Sequence, residues 1–371
     1  MTDIKVLHLI DSGGLYGAEK MLLTLVAEQI KLGIEPVILS AGELGTKEKA
    51  LELEARKLDL PIVVWRLEPG LNFKQALTIA RWARKERFHV LHSHGYKFNI
   101  LLGILPRGLR QLPLVTTVHG YVHARRWSKM WVYELVDQFV LRRLDKVCLV
   151  SGHMRNLKGL ARVSYSKTAI VENGLGPSRA LHAPSGTLPT RFDASFKILV
   201  VGRLSPEKNI ALLIRALANC RVANAAIEVF IVGEGHLRTH LERLAKGLEC
   251  EHKVHFLGYR SDVPDLMKSA DLLVIPSLTE GLPITLLEAM RSGLPIAASA
   301  VGGIPEALDH GRAGYLFNPN SEDELVNALD HFVTGKINRA QTAELAEQRF
   351  REIYTGELMA KKYLSIYSEV I

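Results

Sequence analysis

Two glutamates pose the first chemical question. Glu280 and Glu288 lie in PSLTEGLPITLLEAMR, residues 276–291, directly after an apolar run at 272–275 and just before Gly293. This is the pattern of a strand, a tight loop and a helix. Pro283 suits a first helical turn, where its missing N–H would have had no intrahelical partner. Gly281 lets the backbone come close to a ligand. The amides of Leu282, Ile284 and Thr285 then point toward whatever lies at the helix start, a place that favours phosphate. Glu288 falls among Leu286, Leu287, Ala289 and Met290. Buried there, its carboxylate needs donors, which the hydroxyls of a ribose would supply. The residue types equally allow an exposed Glu288 and a Glu280 that caps a helix.

A second cluster lies in VVGRLSPEKNI, where Gly202 ends an apolar run and Arg203 and Lys208 flank a Ser205-Pro206-Glu207 turn. Two cations so placed at the carboxyl end of a strand can converge on one diphosphate, arginine as a planar fork and lysine as a point charge. A departing diphosphate gains negative charge, so the pair would act in the transition state. A surface ion pair is the plainer alternative for Arg203. Near the N-terminus, DSGGLYGAEK sets Gly13, Gly14 and Gly17 ahead of a helical pattern. Glycines there permit close approach to a phosphate or sugar, or simply make a flexible turn. His119 and Gly120 follow another apolar run. A histidine at such a strand end can bond a substrate hydroxyl, or sit satisfied in the core. His92 and His94, in HSHGYKFN, admit both readings.

Several chemistries are excluded. No GxxxxGK[ST] run occurs, and VGEGHLR has Arg238 where a dinucleotide fingerprint requires Gly or Ala. No Asp-x-Asp pair is present to hold a divalent metal on a nucleotide, so no metal is expected and the cations would stand in for it. Cys148, Cys220 and Cys250 are too few and too scattered for a disulfide framework or a zinc site.

These residues need elements to position them. The 371 residues suffice for two domains. At 47% hydrophobic and 23% charged the chain has ordinary globular usage, and no long uncharged run suggests a membrane span. In the first half, strand-like runs at 4–10, 35–41, 62–67, 89–94, 113–119 and 146–151 alternate with helical patterns such as AEKMLLTLVAEQIKLG. Met21, Leu22, Leu25 and Val26 share one face of that helix, and Gly33 supplies its stop. Continuous apolar strands indicate parallel sheets covered on both sides. A proline-rich stretch with no period, at 177–194, reads as a linker. Beyond it KILVVGR, IEVFIVGEG, VHFLG, LLVIPS, PIAAS and AGYLF repeat the architecture without repeating the sequence. The expectation is an α/β protein with two Rossmann-like domains, 1–176 and 195–340, facing across a cleft, and helices at 341–371 bridging back. Ligands of such sheets sit beyond the carboxyl ends of the strands.

The E-x7-E spacing of Glu280 and Glu288, followed by SGLPIAAS and VGGIPEAL, joins VGRLSPEKN, VGEG, FLGY, AGYLF and GGLYGAEK in one order. With them the chain resembles the retaining glycosyltransferases of family 4, the group 1 glycosyl transferases of GT-B fold, over nearly its whole length. The resemblance implies transfer of a hexose from a nucleotide-diphosphate sugar, UDP- or GDP-linked, to an acceptor hydroxyl, with no tightly bound cofactor and no metal. It implies that Gly13 and Gly14 approach the donor diphosphate and that His119 contacts the donor sugar. Arg203 and Lys208 would neutralise the diphosphate beside Gly202, Glu280 would bind sugar hydroxyls, and Glu288 the ribose 2′ and 3′ hydroxyls. Gly258, Tyr259 and Arg260 would read the base. Retention without a covalent nucleophile implies front-face substitution, in which the departing phosphate helps deprotonate the acceptor.

Charge bears on the acceptor. Residues 1–192 hold 28 Lys and Arg against 16 Asp and Glu, a balance of +12, and the remainder holds 19 against 23, a balance of −4. An acidic partner is expected for the first half: a phosphate-bearing substrate, nucleic acid or membrane head groups. No RNP, KH or helix-turn-helix signature supports nucleic acid. A lipid-linked or polysaccharide intermediate of a cell-surface glycan is the expected acceptor. In ARRWSKMWVYELVDQFVLRR, Trp127, Trp131, Leu135 and Phe139 have roughly helical spacing, with Arg125, Arg126, Lys129, Arg142 and Arg143 at the ends. An interfacial helix on anionic lipid has this pattern, and so does a helix whose apolar face is core. The opening MTDIKVLHLI lacks the basic start and cleavable stretch of a secretory signal, so a cytoplasmic protein is expected, peripheral on the membrane if that helix is interfacial. A sugar-nucleotide epimerase of the same architecture is the alternative activity.

Overall fold

The computed structural model describes residues 4–68, 70, 72–120, 127–177, 188, 195–220 and 227–371. Two units divide the chain, Met1–Pro177 with Tyr354–Ile371, and Ser178–Ile353. Of the linker at 177–194 only Pro177 and Leu188 are among the described residues.

The first unit runs β1 (Lys5–Ile10), α1 (Gly17–Lys31), β2 (Glu35–Glu43), α2 (Ala50–Lys57), β3 (Ile62–Leu67), α3 (Phe73–Lys85), β4 (Val90–Ser93), α4 (Tyr96–Gly103), α5 (Arg107–Arg110), β5 (Leu114–Val118), α6 (Lys129–Leu141), β6 (Lys146–Leu149) and β7 (Thr168–Ile170). The second runs β8 (Phe196–Val201), α7 (Ile210–Ala218), β9 (Ile227–Val232), α8 (Arg238–Gly247), β10 (Val254–Gly258), α9 (Val263–Lys268), β11 (Leu272–Ile275), α10 (Ile284–Ser292), β12 (Ile296–Ser299), α11 (Ile304–Ala307), β13 (Tyr315–Phe317), α12 (Glu322–Val333) and α13 (Arg339–Ile353). A last helix, α14 (Gly356–Val370), returns to the first unit.

Both sheets are parallel. Their orders are β3-β2-β1-β4-β5-β6-β7 and β10-β9-β8-β11-β12-β13. Each order reverses once, between β1 and β4 and between β8 and β11, and at such a switch point the flanking loops part and leave a crevice. The apolar strands behave as their composition requires: Val6, Leu7 and Leu9 on β1 and Ile198 and Leu199 on β8 are fully buried. Met21, Leu22, Leu25 and Val26 of α1 are buried too, and Gly33 closes the helix with a φ of 77°. Strand β7 is an addition to the expected set, a three-residue edge strand too short to leave a period in the sequence.

The tail divides at Tyr354–Thr355. Thr355 caps α14 by accepting from the Leu358 amide at 3.3 Å. A Cβ at Gly356 would lie 2.8 Å from Thr24 Cγ2, so only glycine lets α14 lie this close to α1. Tyr363 and Tyr367 of α14 are almost wholly buried, and bury their rings beside His92. Among the described residues no helix is long and apolar enough to cross a membrane.

Candidate active site

The switch point of the second unit is built by the loops after β8 and β11. Gly202 leaves β8 and leads through Arg203 into a single 3₁₀ turn, Pro206–Lys208. Asn209 then takes a left-handed φ of 49°, a conformation asparagine tolerates better than most residues. Its side chain donates to the Pro319 carbonyl at 3.1 Å, which holds the corner. The Lys208 stem runs beside Gly202, 3.6 Å from where a Cβ would stand. Its ammonium donates to Glu280 Oε1 at 2.6 Å, and Ser277 Oγ donates to the same oxygen at 2.7 Å. Backbone bonds make the two loops one piece, with the Leu278 amide on the Glu207 carbonyl at 2.8 Å. Together they line a small recess floored by Val200, Val274 and Ile275, with Pro283 and Thr285 at the start of α10 on its wall.

VGEG proves to be part of this scaffold. The Leu204 amide bonds the Glu234 carbonyl at 2.9 Å, and a Cβ at Gly233 would lie 1.9 Å from the Gly202 carbonyl oxygen. The glycines of VGEG therefore allow the β9 loop to clamp the β8 loop. Gly258 carries the clamp to β10, accepting from the Gly233 amide at 2.8 Å.

Glu288 sits one turn into α10 and is 7% exposed, which sets aside the solvated reading. Burial pushes the Arg291 guanidinium below its usual range, and the Glu288 charge works against that shift. Lys208 and Arg203 are given different carboxylates: Arg203 pairs with Glu207 at 3.0 Å and stays half exposed. Arg260 is held by both oxygens of Asp262, which raises its pKa and lowers that of Asp262, while Tyr259 is exposed.

The first unit has its own switch-point cluster. Asp11, just past β1, accepts from Lys49 at 2.8 Å and from Lys97 at 2.6 Å. Burial opposes its charge, but these two bonds outweigh it and leave the carboxyl below its ordinary range. In the glycine loop Ser12 Oγ donates to the Gly14 carbonyl at 2.6 Å. A Cβ on Gly14 would strike the Tyr16 ring at 2.6 Å, so this glycine makes room for a tyrosine, whereas Gly13 is open.

Four histidines lie behind that loop. His8 bonds His94 at 3.0 Å and Gln29 at 2.8 Å, and His92 bonds the Tyr367 hydroxyl at 2.7 Å and Thr117 at 2.8 Å. The ring nitrogens of His8, His92 and His94 fall within 4.8 Å of one another, a grouping that could hold a metal, but His8 and His92 already engage both nitrogens in these bonds. His119 stacks on His94 with ring centroids 5.9 Å apart, and its Nε2 is buried without a partner among the described residues. Burial lowers the His8 and His119 pKa to about 4. Burial, then the neighbouring imidazoles, hold His92 and His94 well below their ordinary value. A neutral His119 can exchange a hydrogen bond with a hydroxyl.

The structure thus brings Gly202, Lys208, Glu280, Pro283 and Thr285 around one recess, with Gly281 and Leu282 in the same loop and Ile284 and Glu288 on the helix that follows. Ser277, Asp11, Lys49 and Lys97 were not picked out by sequence; strand-end position was the signal available for Ser277 and Asp11.

Residues 189–349 match the model of the glycosyl transferases group 1, and residues 16–179 that of glycosyltransferase family 4. An uncharacterized glycosyltransferase of Methanocaldococcus jannaschii is 36% identical over 302 residues, covering 76% of this chain and 75% of its relative. The chain belongs to the family 4, group 1 glycosyltransferases. This glycosyltransferase is also 28% identical over 312 residues to the Escherichia coli UDP-Gal:alpha-D-GlcNAc-diphosphoundecaprenol alpha-1,3-galactosyltransferase, covering 81% of this chain and 80% of that one. Among solved structures, Anabaena HepE in complex with UDP-glucose superposes with a TM-score of 0.81 at 21% identity, covering 99% of this chain and all of the other, which shows the GT-B fold.

Proposed function

We propose that this glycosyltransferase moves a hexose from a UDP- or GDP-sugar to a hydroxyl of a lipid-linked or polysaccharide intermediate of a cell-surface glycan, with retained anomeric configuration and without a metal. The observation that carries the reading is the Lys208–Glu280 pair at the switch point of the second unit. Without donor, Glu280 balances the Lys208 charge. An entering diphosphate takes over Lys208, assisted by Arg203, and releases Glu280, still steadied by Ser277, for the hydroxyls of the sugar. The helix α10 amides at Leu282, Ile284 and Thr285 meet the phosphates, Glu288 takes the ribose hydroxyls, and the loop of Gly258, Tyr259 and Arg260 meets the base.

The bond from the anomeric carbon to the phosphate oxygen breaks as the acceptor oxygen bonds that carbon on the same face. The acceptor proton passes to the departing phosphate oxygen, and Arg203 and Lys208 stabilise the charge that develops there. HepE was solved with UDP-glucose, and the E. coli relative is named for galactosyl transfer to a diphosphoundecaprenol-linked sugar; both support this donor and acceptor class.

A thermal-shift panel of nucleotides and nucleotide sugars tests the donor, because a ligand bound only by the folded state raises the melting temperature. The anomeric configuration of the product, read by NMR with and without chelator, tests retention and metal independence. Labelled donor that changes configuration with no acceptor present would favour the epimerase instead.

A further inference from the structure

Helix α6 turns an apolar stripe outward. Val132, Leu135 and Phe139 form one stripe at helical spacing and are 52%, 45% and 52% exposed, with Met130 exposed beside them and Trp127 just ahead of the helix in a turn. The polar residue Asp137 is instead buried, accepting from Asn99 Nδ2 at 2.9 Å. The inner face is held by α4 so closely that a Cβ on Gly103 would lie 2.3 Å from Val140 Cγ1. Of the expected stripe, Trp127, Leu135 and Phe139 face outward and Trp131 is half-buried, while Val140 and Leu141 are the core positions of this helix.

The stripe ends in cations. Arg142 and Arg143 follow Phe139 on the exposed side, and the Arg143 guanidinium lies 4.7 Å from the Phe139 ring centre. Arg143 also borders a recess with Arg107, Arg110 and Lys167, where Asp145 is the acidic member, bonded to Arg110 at 2.7 Å and paired with Arg107 at 3.4 Å. Ile104 and Leu109 add exposed apolar surface beside it. Arg125 and Arg126 lie outside the described residues.

We infer that this face docks on an anionic bilayer, with the α6 stripe entering the acyl boundary and the exposed Arg107, Arg142 and Arg143 meeting lipid phosphates. Exposed apolar side chains alone would suit any apolar partner. The surplus of cations around one carboxylate, on the half of the chain that carries +12, complements a negative surface. The inference goes beyond the donor reading and does not depend on it.

Co-sedimentation of the full chain with vesicles tests it. The parent should pellet with phosphatidylcholine vesicles containing about one-third phosphatidylglycerol, bind pure phosphatidylcholine far less, and release at high salt as the Debye length contracts below about 10 Å. Leu135→Glu with Phe139→Glu, and separately Arg142→Glu with Arg143→Glu, should each lower partitioning roughly tenfold or more while keeping the parent's melting temperature. A parent that stays in the supernatant at low salt overturns the inference. So does an apolar-stripe variant that pellets like the parent. Sedimentation velocity showing a dimer that those substitutions dissociate, without vesicle binding, would make the face a contact between two copies.

Discussion

Gly302 touches the backbone of Glu280: a Cβ built on Gly302 would lie 1.8 Å from the Glu280 carbonyl oxygen, and its φ is 58°. The adjacent Gly303 amide bonds the Gly281 carbonyl at 2.7 Å. The β12 loop therefore presses the Glu280 loop into place, and the residue doing so has no side chain of its own to contribute. Gly302→Ala should destabilise the second unit by about 1–3 kcal/mol and weaken donor binding together, through strain at that φ and displacement of Glu280. Parallel thermal melts with and without nucleotide sugar measure both; an unaltered melt would contradict the contact.

Glu288→Gln keeps the shape of a side chain that is 7% exposed but removes its charge. A hydrogen bond to a charged group contributes about 1.5–3 kcal/mol, so calorimetric donor affinity should fall roughly tenfold to a hundredfold. The fold should persist.

Lys208→Ala should reduce kcat by about a hundredfold, the usual scale for losing one preorganised electrostatic contact in the transition state. It also strands Glu280, which is 10% exposed, so stability should drop as well. Arg203→Ala should lower turnover with little cost to the fold, because Arg203 is half exposed. Steady-state kinetics beside melting curves separate the two cases.

The buried histidines predict a pH dependence. In the unfolded chain each takes a proton near the ordinary value of 6.5, whereas His8 and His119 in the fold do so only at about 4. Between those values the unfolded state binds more protons, so stability falls as pH falls below about 6.5, by about 1.4 kcal/mol per pH unit for each such histidine, and the loss ends near the folded pKa. His92 and His94 add to it in the same direction. Calorimetric melting temperatures taken down this range should decline steeply, and less so in His94→Gln.

Tyr367→Phe removes a hydroxyl that meets His92 Nδ1 at 2.7 Å and accepts from Gln29 at 3.2 Å. Two buried polar groups lose their partner, which costs about 1–3 kcal/mol. A chemical denaturation curve with an unchanged midpoint would show the network to be idle.

The strands were legible because a parallel sheet covered on both faces needs unbroken apolar runs, and eleven-residue VVGRLSPEKNI and VGGIPEAL announce loops at the ends of such runs. The positions of Glu280 and Lys208 just past strand ends, and of Glu288 on the helix that follows, were legible. Their pairing was not: Lys208 and Glu280 are 72 positions apart, and only the adjacency of β8 and β11 joins them. The same holds for Asp11 with Lys49 and Lys97, which meet because β2 and β4 both flank β1. Gly14 was read as a place of close approach to a phosphate, and the structure adds that its bareness makes room for the Tyr16 ring, a neighbour the glycine spacing did not announce. The exposure of α6 could not be read at all, since an apolar stripe has the same spacing whether it faces core or solvent.

Because α14 places Tyr363 and Tyr367 beside His92 of β4, strands made before the second unit wait for a helix made after it. The Ser178–Ile353 unit emerges whole in between. It can therefore mature first, while the half made before it stays open and in need of protection until synthesis passes α14.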